Sequence, residues 1–222
     1  MAKFTRIEVA LKMEETGLVP LFYHRDAGIC KKVIAACHEG GASVFEFTNR
    51  GDFAHEVFAE VKKWANDAYP ELMIGIGSVP DAPTAAIFMQ MGADFIVSPF
   101  LNPEIARICN RRKVLWIPGC GSLTEISEAE ELGAEIVKIF PGPAVGGPAF
   151  VRAVKGPCPW TSIMPTGGVE PDEESLKQWF TAGVVCVGMG STLIVDRLVK
   201  ADDWAAIKMN VKNALDIIKK LK

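Results

Sequence analysis

The chain has no excess of positive charge: 24 Lys and Arg stand against 27 Asp and Glu, a formal net charge of -3. Counterion release, the main drive for nucleic-acid binding, has little to work with, so nucleic acid is not an expected partner. Nor does any run approach the roughly 18 apolar residues of a membrane span. The opening stretch carries Lys3, Arg6 and Glu8 where a secretory signal would keep an unbroken apolar core. These absences predict a soluble cytoplasmic protein with no membrane contact. The six cysteines, at 30, 37, 109, 120, 158 and 186, form no C-x-x-C pair and read as reduced thiols in apolar or helical settings. Only Cys120, in Pro118-Gly119-Cys120-Gly121, sits where a barrel would place its active face. With no His nearby in sequence, a catalytic thiol is the weaker alternative there. A dinucleotide fingerprint, a low-complexity tract and a linker are also missing.

What is present is an ordinary globular composition, 49% hydrophobic and 23% charged, in a length of 222 residues that suits one closed barrel. Eight short apolar runs recur: Val19 to Phe22, Val44 to Phe47, Met73 to Ile76, Phe95 to Val97, Leu115 to Ile117, Ile136 to Ile139, Ser162 to Met164 and Val184 to Val187. Each is followed by loop residues and then by helical spacing, such as Ala85, Phe88 and Met89 before Gly92. Gly92, Gly133 and Gly183 each close a helix ahead of the next strand. Eight strand-helix units in so short a chain predict an α/β fold, a (β/α)8 TIM barrel filling residues 1–222 as a single domain. An additional N-terminal helix is expected over Phe4 to Glu14. A final amphipathic helix is marked by Trp204, Ile207, Val211, Leu215 and Ile218, with Lys219, Lys220 and Lys222 as its solvated end.

Alternation along a barrel strand puts Ile136, Lys138 and Phe140 on one face, and Val44, Glu46 and Thr48 on one face of the second strand. If Lys138 points inward, desolvation disfavours its ammonium form and leaves a free amine that can attack a carbonyl. Taken alone, Lys138 is explained as well by a paired carboxylate or by snorkelling to the surface. Glu46 alters the weighing, because an inward carboxylate is costly without a purpose or a partner, and beside an amine it can take and return protons. A purely structural ion pair is the competing account. Arg50, just past the second strand, offers a planar fork for a carboxylate, or is an ordinary surface arginine. Two glycine-rich turns, Pro165-Thr166-Gly167-Gly168-Val169 and Gly188-Met189-Gly190-Ser191-Thr192, follow the seventh and eighth strands, where barrels commonly hold a phosphate. A helix is expected to begin near Ser191 and add its positive end.

Taken together and in order, these motifs resemble the 2-keto-3-deoxy-6-phosphogluconate (KDPG) and 4-hydroxy-2-oxoglutarate (KHG) aldolase family over nearly the whole chain. The resemblance is carried by Val19-Pro20-Leu21, Phe45-Glu46-Phe47-Thr48-Asn49-Arg50, Gly75-Ile76-Gly77-Ser78-Val79, Ser98-Pro99, Ile117-Pro118-Gly119, Val137-Lys138-Ile139-Phe140-Pro141 and Pro165-Thr166-Gly167-Gly168. It implies a class I, pyruvate-forming carbon–carbon lyase acting on a small 2-oxo acid, with neither metal nor organic cofactor, and a homotrimer. It assigns Lys138 the Schiff base, Glu46 the general acid and base, and Arg50 and Ser78 the substrate carboxylate. Thr166, Gly167, Gly168, Gly190 and Ser191 match the phosphate or distal-end pocket. The sequence departs from the family pattern at Phe100, at Pro141-Gly142-Pro143 and at Met189, which bears on the distal end of the substrate rather than on the lysine. Two other readings stand beside this one: a sugar-phosphate isomerase or epimerase with Glu46 as base, and a non-catalytic barrel that binds oxo acids without turnover.

Overall fold

The structure is a computed structural model that describes residues 2–222. Strands and helices alternate throughout, and the strands pair only in parallel. After helix α1 (Arg6–Thr16) come β1 (Leu18–Phe22), α2 (Ala27–Glu39), β2 (Val44–Thr48), α3 (Ala54–Ala68), β3 (Met73–Gly77), α4 (Ala82–Gln90), β4 (Phe95–Val97), α5 (Pro103–Arg112) and β5 (Leu115–Ile117). The second half holds β6 (Gly119–Cys120), α6 (Leu123–Glu131), β7 (Val137–Ile139), α7 (Gly147–Lys155), β8 (Ile163–Pro165), α8 (Glu173–Ala182), β9 (Val187–Met189), α9 (Asp196–Lys200) and α10 (Trp204–Leu221).

Nine strands among the described residues make eight staves, because β5 and β6 are two parts of one stave interrupted at Pro118. The lower part pairs with β4 and the upper with β7. The order β5-β4-β3-β2-β1-β9 continues round through β6-β7-β8. Val185 N donates to Ile163 O at 3.0 Å, and Thr166 bridges Gly188, which joins β8 to β9 and closes the barrel.

A parallel sheet covered on both faces should read as unbroken apolar runs, and β2 and β3 are buried at every residue. Alternation divides these runs between two cores. Phe45, Phe47, Ile74, Ile76, Val137 and Ile139 pack outward on the helices. Val19, Val44, Met73, Phe95, Leu115, Ile136 and Met164 fill the barrel interior, and Val9, Ala10 and Met13 of α1 stopper its lower end. Thr5 starts α1 with a reciprocal capping box to Glu8, so this helix has its own start signal. The solid lower interior leaves the upper end, at the carboxyl ends of the strands, as the place for a site.

The structure shifts three expectations. The last strand lies at Val187–Met189 rather than Val184–Val187, although Cys186 still faces the interior core. No helix begins near Ser191: Leu193 N and Ile194 N both turn back to Gly190 O, at 3.0 and 2.8 Å, and α9 starts only at Asp196. Lys219 and Lys220 are exposed as expected, but Lys222 folds back so that its ammonium donates to the Glu14 carbonyl. No helix among the described residues is long and apolar enough to cross a membrane.

Candidate active site

Lys138 lies in the middle of β7, with interior Ile136 two residues below and Phe140 two residues above. Strand geometry thus aims it into the barrel, and only 6% of it is exposed. Its Nζ lies 4.8 Å from the centre of the Phe140 ring. On β2, Glu46 is likewise between interior Val44 and Thr48, and is 1% exposed. Its carboxyl leans over β3 at Gly77, where a Cβ would fall 1.7 Å from Oε1. Gly77 is therefore a residue the site requires, and its sequence signal was the Gly75-Ile76-Gly77 run. The layer beneath is closed by the Phe95 ring, which fills the space over Gly75.

Both groups are pushed toward their neutral forms. Burial raises the Glu46 carboxyl above the ordinary glutamate range, against the opposing charges of Lys138 and Arg50. Burial likewise lowers the Lys138 ammonium, with the Glu46 charge resisting and the Arg50 charge helping. The two do not form a direct ion pair; the buried pair among the described residues is Lys62 with Asp94, elsewhere in the fold. Glu46 Oε2 is buried with no hydrogen-bond partner. Such an atom costs stability unless something is to be bound there.

Above this pair opens a cavity of about 320 Å³ at the carboxyl ends of the strands. Thr48 and Phe140, each two residues above Glu46 or Lys138 on the same strand face, are part of its wall. With them are Leu21, Phe22, Tyr23, Arg50, Thr166, Gly167, Gly190, Ser191, Ile194 and Asp196. The structure thus gathers Arg50, Thr166, Gly167, Gly190 and Ser191 round one opening over Lys138 and Glu46. Ser78 stands apart from that wall, half-buried at the end of β3 with φ 58°. Gly168 also turns away. Its Cβ would lie 2.1 Å from Pro143 Cγ, and it lines a separate groove with Pro143, Gly147, Asp172 and Trp179. Thr166 belongs to the wall, yet its Oγ1 is buried without a partner, close to Gly188. Tyr23 and Asp196 are wall residues that sequence reasoning missed, since positions at the ends of elements carry no periodic signal, whereas Phe140 follows from the inward strand face that it shares with Lys138.

Two further residues are placed outside the cavity. Phe100 is 49% exposed and does not line it, so it does not narrow the distal end. The Cys120 thiol is buried, contacts Pro118 O at 3.7 Å, and is pushed up to about 12 by burial and by Glu125 and Glu130. It is a protonated thiol at neutral pH and not a nucleophile. No three His, Cys, Asp or Glu residues are grouped to hold a metal among the described residues.

Residues 9–210 match the family model for KDPG and KHG aldolase, an aldolase family. The chain belongs to the KDPG and KHG aldolase family. Two relatives agree with this. It is 29% identical to a 2-dehydro-3-deoxy-phosphogluconate aldolase of Haemophilus influenzae over 97% of this chain and 99% of that one. It is 34% identical to the enzyme of the same name from Pseudomonas aeruginosa, over 80% and 78% of the two chains. In fold it is similar to a KDPG aldolase from Legionella pneumophila solved with pyruvate captured at low pH as a covalent carbinolamine intermediate. That likeness has a TM-score of 0.82 at 24% identity, covering 91% of this chain and 96% of that one. The chain is thus a class I KDPG/KHG-type aldolase, a carbon–carbon lyase on a (β/α)8 barrel. Membership in an aldolase family disfavours both the isomerase and the non-catalytic reading.

Proposed function

We propose that Lys138 is the Schiff-base nucleophile and Glu46 the general acid and base in cleavage of a 2-keto-3-deoxy or 4-hydroxy-2-oxo acid to pyruvate and an aldehyde. The observation that carries this is a buried amine, depressed toward its free-base form, beneath an open cavity and close to a carboxyl whose Oε2 has no partner. Neutral amine and protonated carboxyl are the states that imine formation needs at its start. Lys138 Nζ attacks the C2 carbonyl to give a carbinolamine. Glu46 gives its proton to the departing hydroxyl, so that water leaves and an iminium forms. The Glu46 carboxylate then takes the proton of the C4 hydroxyl. As the aldehyde carbonyl forms, the C3–C4 bond breaks and its electron pair flows to the iminium nitrogen, leaving the enamine of pyruvate. Glu46 returns the proton to C3, and water releases pyruvate and the free lysine.

Arg50, at the cavity wall, grips the substrate carboxylate, with Ser78 at the neighbouring strand end. The relatives' names support the substrate class, and the carbinolamine of the Legionella enzyme supports covalent chemistry with pyruvate. The same family resemblance and the exposed Phe53, Ile87 and Phe100 on the α3–α5 side support a homotrimer, and the composition supports a cytoplasmic enzyme.

Reduction with borohydride in the presence of pyruvate tests the reading. The expected result is a stable mass gain mapped to Lys138, absent from Lys138→Ala and much slowed in Glu46→Gln. A protein that stays unmodified under saturating pyruvate would refute it.

A further inference from the structure

At the end of β1 two wall residues lean in opposite directions. Leu21 leans toward β9, where a Cβ on Gly190 would fall 2.7 Å from its Cδ1. Tyr23, one residue beyond the strand, leans over β2 instead. Its ring meets the Phe47 ring edge-on, at 5.6 Å between centres and 89° between planes. Its phenol tip reaches the turn after β2, where a Cβ on Gly51 would fall 2.9 Å from Tyr23 Oη and 3.5 Å from Cε1 and Cζ. Gly51 has φ 117°, a backbone conformation that already disfavours a side chain. Tyr23 thus fills the space that a side chain at position 51 would need, and its hydroxyl rests against the residue that follows Arg50. Both Tyr23 and Arg50 line the cavity.

The Tyr23 ring is anchored, yet its oxygen is not. The residue is half-buried, and its hydroxyl makes no hydrogen bond with another described residue. Packing on Phe47 and Gly51 needs only a phenyl ring, whereas a tyrosine hydroxyl withdrawn from water usually has a partner. Arg50 is in a similar state. Its backbone is fixed, with Asn49 N donating to Gly77 O at 2.8 Å and Arg50 N to Thr48 O at 2.9 Å. Its guanidinium pairs with no carboxylate among the described residues. Two unpartnered donors therefore stand side by side where β1 and β2 end, and a carboxylate, with two accepting oxygens, can satisfy both. We propose that Tyr23 is a further substrate-carboxylate residue, whose hydroxyl donates to the carboxylate that Arg50 grips. Tyr23 stands on the β1 side of Arg50 and Ser78 on the β3 side, so the three bracket one anion. This deepens the proposed function and rests on the roles given there to Lys138 and Arg50.

The test compares pyruvate with its methyl ester, which keeps the keto carbon and lacks the anionic carboxylate. Imines on Lys138 are trapped with cyanoborohydride in wild type, Tyr23→Phe and Arg50→Gln, and followed by mass. Phenylalanine keeps the ring against Phe47 and Gly51 and removes only the oxygen. Tyr23→Phe should raise the half-saturating pyruvate concentration about tenfold, as for loss of one hydrogen bond to a charged group, and that of the ester by less than about threefold. Arg50→Gln should show the same selectivity with a larger effect on pyruvate. Both probes are read on one preparation, so a partial loss of fold lowers both signals alike and leaves their ratio unmoved. An unchanged half-saturation for pyruvate in Tyr23→Phe, or an equal loss for pyruvate and ester, overturns the proposal. Wild type separates the possible failures. If it traps pyruvate and Arg50→Gln is selective while Tyr23→Phe is not, only the role of Tyr23 falls; if wild type traps nothing, the nucleophile itself is wrong.

Discussion

Two buried lysines divide the molecule into a part that holds and, by the function proposed above, a part that reacts. Lys62 of α3 reaches Asp94 at 2.5 Å, and the same carboxylate accepts from Ile74 N at 2.9 Å and Lys3 N at 3.0 Å. Burial lowers the Lys62 ammonium, while the Asp94 charge and hydrogen bond push it back up. Lys138 is buried as deeply beside Glu46, but the two make no direct contact, Glu46 keeps an oxygen without a partner, and Arg50 adds to the lowering. Both pairs consist of one cation and one carboxyl in an apolar setting. Satisfaction separates them: the first ties the amino-terminal arm, α3 and β3 together, and the second leaves both members free to meet a third group. A completed buried pair has little capacity for chemistry, and an incomplete one is costly to keep unless it binds something.

The largest effect that would break this contrast is at Lys138, the proposed nucleophile. Lys138→Met should lower kcat/KM for pyruvate release by more than about 10⁴-fold, since nothing else in the cavity can form the imine. It should also raise Tm by a few degrees, because a desolvated amine is replaced by an apolar chain of similar length, and loss of its charge lets burial raise the Glu46 carboxyl further. Steady-state assay and thermal unfolding read the two halves separately. Retained turnover, or loss of activity with loss of fold, would erase the distinction.

The next effect should run the opposite way. Lys62→Met leaves Asp94 buried with its charge uncompensated, at a cost of about 3–5 kcal/mol by analogy with broken buried pairs. Denaturant unfolding should show that loss, while kcat at 25 °C, per folded molecule, stays within about twofold of wild type. Lys62→Met with Asp94→Asn should recover part of the stability, since the amide oxygen still accepts a backbone N–H. If the single variant instead lost kcat with little change in stability, Lys62 would belong to the reacting part.

The same contrast marks where sequence was informative. Eight apolar runs show the barrel because a stave buried on both faces must be apolar, and strict alternation then points Glu46 and Lys138 inward. Apolarity records burial and not ladder pairing, which is why the last strand is found three residues beyond the start of its run: Val184 and Cys186 are buried before the pairing of Val187 begins. Lys62 with Asp94 was illegible, since nothing in either residue's surroundings announces a partner 32 positions away. The cavity wall was legible only in part for a related reason. Gly167 and Gly168 both have positive φ, 80° and 68°, and that loop path sends Gly168 to Pro143 while Gly167 stays at the opening. Composition identifies such a turn but does not fix which glycine faces the ligand.

The smallest expected effect sharpens the contrast from a third side, because Cys120 is as buried as Lys138 and comes from the upper half of the neighbouring stave. If burial alone made a group reactive, its thiol would matter. Burial and the acidic neighbours Glu125 and Glu130 instead hold it protonated, up to about 12, and it faces the Pro118 carbonyl rather than the cavity. Cys120→Ser keeps a donor for that carbonyl, so kcat/KM should stay within about twofold, with a stability cost of about 1 kcal/mol typical of single substitutions. Native Cys120 should likewise resist iodoacetamide at pH 8 until the protein unfolds, read by mass spectrometry of the digested chain. A tenfold loss of turnover in the serine variant, or rapid native alkylation, would mean that the thiol takes part. Burial lowers the lysine toward its nucleophilic form and holds the thiol in its inert form, so a single environment yields opposite reactivities for groups of opposite charge type.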